Sequence, residues 1–248
     1  MESDDLQPNQ TLNLRTKPNS NNSQTSAQNP NEPPDFRFTP VSSSQDPAVN
    51  QLQPEQTESS PTINQYEGEV VPKALVVYFS HAGENEKVGV IQEGNTKIIA
   101  RNIAIYLKTH GFGVDMFELI PNHPYSASYQ ETFARAKTEQ ADHSTLDYVG
   151  EINNFYQYPY LFIGYPIWHE DMPMLVYDFL ETYNSVCKNK VIIPFCTHER
   201  SGDAGTFTKF AQLTNASEVT EGLAVTGQSA RTAESHPKIR EWLEKLGF

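Results

Sequence analysis

From Lys73 onward the chain alternates short apolar, β-branched runs with segments of helical period, and that alternation restricts the possible folds more than any other property of the sequence. Ala74-Leu-Val-Val-Tyr-Phe79 is apolar at every position, the pattern of a strand covered on both faces in a parallel sheet. Residues 96–109 then place Ile99, Ile103, Tyr106 and Leu107 at helical spacing, with Lys97, Arg101 and Lys108 elsewhere. Gly111 and Gly113 end that helix and open a second strand over residues 114–119. Residues 130–140 read as a helix with Phe133 and Ala134 on one side. A third strand follows at 160–164, a helix at 174–180, a fourth strand at 190–196, a short helix at 205–213, a fifth strand at 218–225, and a closing helix at 237–246 begun by Pro237. Parallel strands joined by helices require right-handed crossovers, so the expected fold is α/β, a three-layer doubly wound sheet of five parallel strands.

Residues 1–72 have a different character. Gln, Asn, Ser, Thr and Pro dominate, as in Asn19-Ser-Asn-Asn-Ser-Gln-Thr-Ser-Ala-Gln28. Ordering such a stretch costs about 1 to 2 kcal/mol per residue in backbone entropy, and it carries too few apolar side chains to offset that. The domain division expected from composition is therefore a disordered polar tail over 1–72 and one folded domain over 73–248.

Net charge excludes one class of partner. The formal charge is −13; residues 1–70 hold ten acidic and three basic side chains, −7, which leaves −6 on the remainder. No cluster of Lys and Arg exists to meet a phosphate backbone, so nucleic acid is not an expected partner. The amino terminus lacks a basic segment followed by an apolar one, and no apolar run reaches membrane-spanning length, so the expected location is cytoplasmic. A polar tether of this kind would equally suit an exported protein whose start is incomplete. The two cysteines, Cys187 and Cys196, flank one strand and stand too far apart along it to be bridged.

Three strand exits carry the chemistry. Ser80-His81-Ala82-Gly83 leaves the first strand, and Gly94-Asn95-Thr96 opens the first helix after a long intervening loop. A helix start offers free amide donors and a positive dipole end to an anion, while Asn95 or Thr96 as a simple helix cap explains the same residues. No Lys follows Gly94-Asn95-Thr96 in the manner of a nucleotide triphosphatase, and Gly111-Phe112-Gly113 lacks the third glycine of a dinucleotide fingerprint. Gly164-Tyr-Pro-Ile-Trp168 sets an indole beside a proline of fixed φ, either a flat wall for a planar ring or a Trp packed into the local core. Thr197-His-Glu-Arg-Ser-Gly-Asp203 follows the fourth strand with polar side chains and amides suited to the edge of a heterocycle. A metal site built from His169, Glu170, Asp171 and His198 is disfavoured, because consecutive residues rarely converge on one ion.

Tyr78-Phe-Ser-His-Ala-Gly-Glu-Asn85, Gly94-Asn-Thr96, Gly164-Tyr-Pro-Ile-Trp168 and Pro194-Phe-Cys-Thr197 together resemble the flavodoxin-like family, in the family's order and over nearly all of residues 73–248. The resemblance implies a sheet of order 2-1-3-4-5 and a non-covalent FMN. By position it assigns Ser80, His81, Ala82, Asn95 and Thr96 to the phosphate loop, Pro166, Ile167 and Trp168 to one flank of the isoalloxazine, and Thr197 and His198 to its polar side. Two features depart from the pattern. The usual compact phosphate loop is split by an insertion, and His81, His169 and His198 surround the site where simple electron carriers tend to be acidic.

The function expected on this basis is electron transfer through bound FMN, with a redox protein as partner. An NAD(P)H-dependent quinone or azo reductase of the same fold, using a small-molecule acceptor, is the alternative. A flavin-free binding module is the third reading.

Overall fold

The computed structural model describes residues 71–248, so the expected disordered tail lies outside the described residues except for Val71 and Pro72. The elements run β1 (Lys73–Tyr78), β2 (Gly83–Asn85), β3 (Gly89–Ile91), α1 (Asn95–Thr109), β4 (Gly113–Glu118), α2 (Tyr129–Asp142), β5 (Tyr160–Pro166), α3 (Met174–Tyr183), β6 (Val191–His198), α4 (Thr206–Leu213), β7 (Glu218–Val219), β8 (Leu223–Thr226), α5 (Gly227–Ala230) and α6 (Ser235–Lys245). One main sheet has the order β4-β1-β5-β6-β7, with β8 also pairing β6, and every pairing in it is parallel. Counting β7 and β8 as one interrupted strand gives the order 2-1-3-4-5, in a doubly wound α/β fold of the flavodoxin type.

The continuous apolar runs are explained by helices on both faces. Side chains alternate across a strand, so Leu75 and Val77 of β1, and Phe79 just after it, face one layer, with Leu175, Val176 and Phe179 of α3 and Phe210 of α4. Ala74, Val76 and Tyr78 face the other, with Ile99, Ile103 and Leu107 of α1 and Ile239, Trp242 and Leu243 of α6. Gly164 in β5 is required by this packing: a Cβ there would lie 2.1 Å from the Phe195 ring.

Three expectations are corrected. The fifth strand is broken rather than continuous over 218–225, because the chain between β7 and β8 turns the Glu221 carbonyl to the Trp242 indole N–H (3.0 Å) and admits the Phe207 ring against Gly222, where a Cβ would sit 2.5 Å from it. The closing helix begins at Ser235, two residues before Pro237, which is tolerated because first-turn amides have no partner inside the helix. The stretch between Ser80 and Gly94 is a two-stranded antiparallel hairpin, β2–β3, rather than a plain loop. Cys187 and Cys196 are both free and buried. Among the described residues no helix is long and apolar enough to cross a membrane.

Candidate functional site

The carboxyl ends of β1, β5 and β6 open on one side of the sheet, and the loops leaving them build a single cleft of about 330 Å³. The first wall is the exit of β1. Ser80 Oγ accepts the backbone N–H of Lys97 at 3.0 Å, in the first turn of α1. A Cβ on Gly94 would fall 2.2 Å from Ser80 Oγ and 2.6 Å from the His81 carbonyl. Only glycine permits that approach, and it brings Ser80-His81 back against Gly94-Asn95. The insertion thus loops out as a hairpin, and the two halves of the split loop meet in space.

The hairpin is anchored at both ends. At Gly83, with φ of +102°, a Cβ would lie 2.8 Å from the Ala127 carbonyl. Glu84 donates its N–H to that carbonyl (2.8 Å), and its carboxylate accepts the N–H of Tyr129 (3.1 Å), capping the positive end of α2. Arg200, from the loop after β6, donates to the Glu86 carboxylate at 3.0 Å.

The second wall follows β5. Ile167 N–H donates to the Thr197 carbonyl at 2.8 Å, and Trp168 and Asp171 exchange backbone hydrogen bonds of 2.9 and 3.0 Å. The two residues between them, His169 (φ 48°) and Glu170 (φ 59°), are both left-handed, as a tight two-residue turn demands and as non-glycine residues resist by about 1 to 2 kcal/mol each. Neighbouring contacts hold the turn: Gln140 Nε2 donates to the Trp168 carbonyl at 2.9 Å, and Lys209 Nζ reaches both Asp171 oxygens at 2.7 Å. The indole of Trp168 meets Phe79, His81 and Tyr125 edge to face, with centroids 5.2, 5.9 and 4.9 Å away. Trp168 is half-buried and lines the cleft as well.

The third wall follows β6. Thr197 is buried, and its hydroxyl lies 2.8 Å from that of Thr96. His198 Nδ1 accepts the N–H of Gly202 at 3.1 Å, so the ring proton resides on Nε2. Burial lowers the pKa of His198 and also that of His81. His81 Nε2 is the one buried side-chain nitrogen or oxygen among the described residues that has no hydrogen-bond partner, and its ring lines the cleft. Glu199 stands beside Asn95: a Cβ on Gly227 would sit 2.5 Å from Glu199 Oε1 and 2.6 Å from Asn95 Nδ2. Burial first, then the charge of Glu86, raises the Glu199 pKa. Arg231 donates to Asn95 Oδ1 at 3.1 Å, which leaves the Asn95 amide N–H groups free to point elsewhere.

Of the residues singled out in the sequence, His81, Asn95, Pro166, Ile167, Trp168, Thr197 and His198 line this cleft together. Ser80, Ala82 and Thr96 do not line it. Ser80 lies behind Gly94, Thr96 beneath Thr197, and half-buried Ala82 starts the hairpin. The sequence reading missed the hairpin residues Glu84–Glu86 and the α2 face of Tyr129, Thr132, Phe133 and Ala136. A signal for the latter was present, since Tyr129 and Phe133 are aromatic residues one helical turn apart at the start of an otherwise polar helix.

The Flavodoxin family profile matches residues 73–246. The chain belongs to the flavodoxin family. Similar solved structures of this flavodoxin-like chain include a candidate flavoprotein from Bacteroides eggerthii DSM 20697, 25% identical with a TM-score of 0.53, covering 71% of this chain and 98% of that one. Another from Bacteroides uniformis ATCC 8492 is 20% identical with a TM-score of 0.52, covering 70% and 99%. A flavoprotein in complex with FMN from Lactobacillus acidophilus NCFM is 17% identical, with a TM-score of 0.48 and coverage of 64% and 95%. No curated protein matches this flavodoxin.

Proposed function

We propose that this flavodoxin is an FMN-binding electron-transfer protein. The observation that carries the reading is the reassembly of the split loop, in which a glycine without room for a Cβ holds Ser80-His81 against the start of α1. The free amides there, with Ser80 fixed at the first turn, suit a terminal phosphate monoester. His81 lines the cleft, and its buried Nε2 has no hydrogen-bond partner among the described residues, which fits a site made for a polar ligand.

Bound FMN would supply one- and two-electron chemistry. The protein's part is to bind and to tune. Asn95, with the amides of the α1 start, would hold the phosphate, and Arg231 fixes the Asn95 side chain. Pro166, Ile167 and Trp168 would flank the isoalloxazine, and the edge-to-face contacts with Phe79 and Tyr125 keep the indole from turning away. Thr197 and His198 would address the polar edge. The carboxylates of Glu86 and Glu199 disfavour added negative charge in the cleft by Coulomb repulsion. Electrons would then pass to a redox partner protein or a small acceptor at the open side.

The experiment is titration of flavin-free protein with FMN and with riboflavin, followed by flavin fluorescence. FMN should bind at least about fivefold more tightly, since an anion at a partly buried helix start gains about 1 to 2 kcal/mol. Equal affinities would remove the phosphate cradle, and a protein that takes up neither flavin would favour the binding-module reading.

A further inference from the structure

The FMN assignment uses the strand-exit loops and leaves one wall of the cleft without a task. That wall is the cleft-facing side of α2 with the turn after β5. Phe133 is 45% exposed at the mouth of the cleft, unusual for a ring of that size. The His169 ring lies 4.0 Å from it, centroid to centroid, and His169 Nε2 donates to the Phe133 carbonyl at 2.9 Å, so the two rings are held as a unit. Tyr129 extends the shelf, its ring 5.9 Å from that of Phe133. No hydrogen bond is made by the Tyr129 hydroxyl within the described residues, and burial with the nearby Glu86 and Glu199 raises its pKa, which keeps it a donor. The shelf therefore combines an open aromatic face with one free O–H.

Charge narrows what can lie on it. The side chains lining the cleft include four carboxylates, Glu84, Glu86, Glu170 and Glu199, against one guanidinium, Arg200, which is already paired with Glu86. A pyridine nucleotide would bring its phosphates to this rim without a free lining cation to meet them. A flat, uncharged ring that carries carbonyl acceptors meets no such penalty.

We propose that Tyr129, Phe133 and His169 form the acceptor site of this protein, and that the acceptor is a neutral quinone. The assignment rests on the FMN reading, which supplies the electrons. The quinone would lie on Phe133 with one carbonyl accepting from Tyr129. Its two oxygens take up two electrons and one proton from reduced FMN and a second proton from water, leaving hydroquinone and oxidised FMN. The upstream reductant is a separate electron donor, replaced in the test by photoreduction.

The test uses the full chain, with 1,4-naphthoquinone as the quinone and NADPH as the competing class. Loading with FMN is measured first, by fluorescence. Carbon-detected NMR of the His169 and Phe133 rings is then followed on adding quinone, in flavin-free and FMN-loaded protein. Saturating shifts in both rings are expected. Phe133→Ala, an exposed helix position where alanine preserves folding, should weaken quinone binding by about tenfold while leaving FMN affinity unchanged. Tyr129→Phe should weaken it by about threefold with the ring contact retained. In anaerobic mixing, reoxidation of the photoreduced protein should saturate with quinone concentration, and in Phe133→Ala the half-saturating concentration should rise by about tenfold. Ring shifts that do not saturate, or a reoxidation rate linear in wild type and indifferent to Phe133→Ala, would overturn the shelf. NADPH shifting the same rings at comparable concentration would overturn the choice of a neutral acceptor. Failure of FMN to bind while the quinone shifts persist would sink the cofactor reading and leave the shelf standing.

Discussion

The hydroxyls of Thr96 and Thr197, 101 residues apart in sequence, lie 2.8 Å from one another beneath the cleft, tying the start of α1 to the exit of β6. Both side chains are buried, so neither hydroxyl has water as a substitute partner. The phosphate side and the ring side of the proposed flavin site are therefore linked by one buried contact.

Thr197→Val should lower stability by about 1 to 3 kcal/mol, because it strands the Thr96 hydroxyl, and should weaken FMN binding with it. Replacing both threonines by valine should recover part of the stability, since an apolar pair leaves nothing unsatisfied. Chemical denaturation of the two single variants and the double variant measures the coupling, and additive losses would dissolve the link.

Gly94→Ala forces a methyl group toward the backbone carbonyl of His81 and toward Ser80 Oγ. The loop must shift away from α1, so FMN affinity should fall by about tenfold or more, equivalent to about 1.4 kcal/mol, while riboflavin affinity changes less. Parallel fluorescence titrations with the two flavins check this. A uniform loss for both would place the damage in the ring site instead.

Glu199 sets a carboxylate beside Asn95, where the FMN phosphate is proposed to bind. Its raised pKa means that protonation, and loss of the repulsion, begins above the ordinary carboxylate range as pH falls. FMN affinity should accordingly rise as pH decreases through the Glu199 titration, and Glu199→Gln should bind FMN more tightly with a flatter pH profile. Calorimetric titrations across that range in several buffers measure both affinity and proton uptake.

His81 and His198 are held neutral by burial, with pKa values below the ordinary 6.5. The unfolded chain then binds protons that the folded chain does not, so stability is complete above pH 6.5 and declines as pH falls from there toward the folded values. His198→Asn, which keeps an acceptor for the Gly202 N–H, should reduce the slope of melting temperature against pH in flavin-free protein.

Trp168→Ala removes an electron-rich ring from the cleft and admits water that solvates negative charge. The second reduction potential of bound FMN should rise, and FMN should bind more weakly. Because the indole also packs on Phe79 and Tyr125, stability will fall too, so the decisive readout is the potential, obtained by photoreduction against reference dyes. An unaltered spectrum and potential in a destabilised protein would make Trp168 a packing residue alone.

The sequence by itself determined the class of fold and the ends of the strands that matter. Runs such as Ala74–Phe79 are apolar at every position because helices cover both faces of the sheet, and their alternation with segments of helical period points to parallel pairing. The strand-exit residues His81, Asn95, Pro166, Ile167, Trp168, Thr197 and His198 were legible for the same reason, since parallel strands carry their exit loops to one side. Only the tertiary structure decided the rest. Whether the insertion broke the split loop depended on a close approach across fourteen residues, from Ser80 to Gly94, which no local pattern encodes. The break between β7 and β8 depended on Phe207 and Trp242, side chains from helices on opposite faces. The aromatic shelf depended on α2 crossing the mouth of the cleft, where Phe133 meets a His169 held in a left-handed turn. Periodicity records which side of an element is covered, while the identity of the neighbour is a long-range choice made by packing.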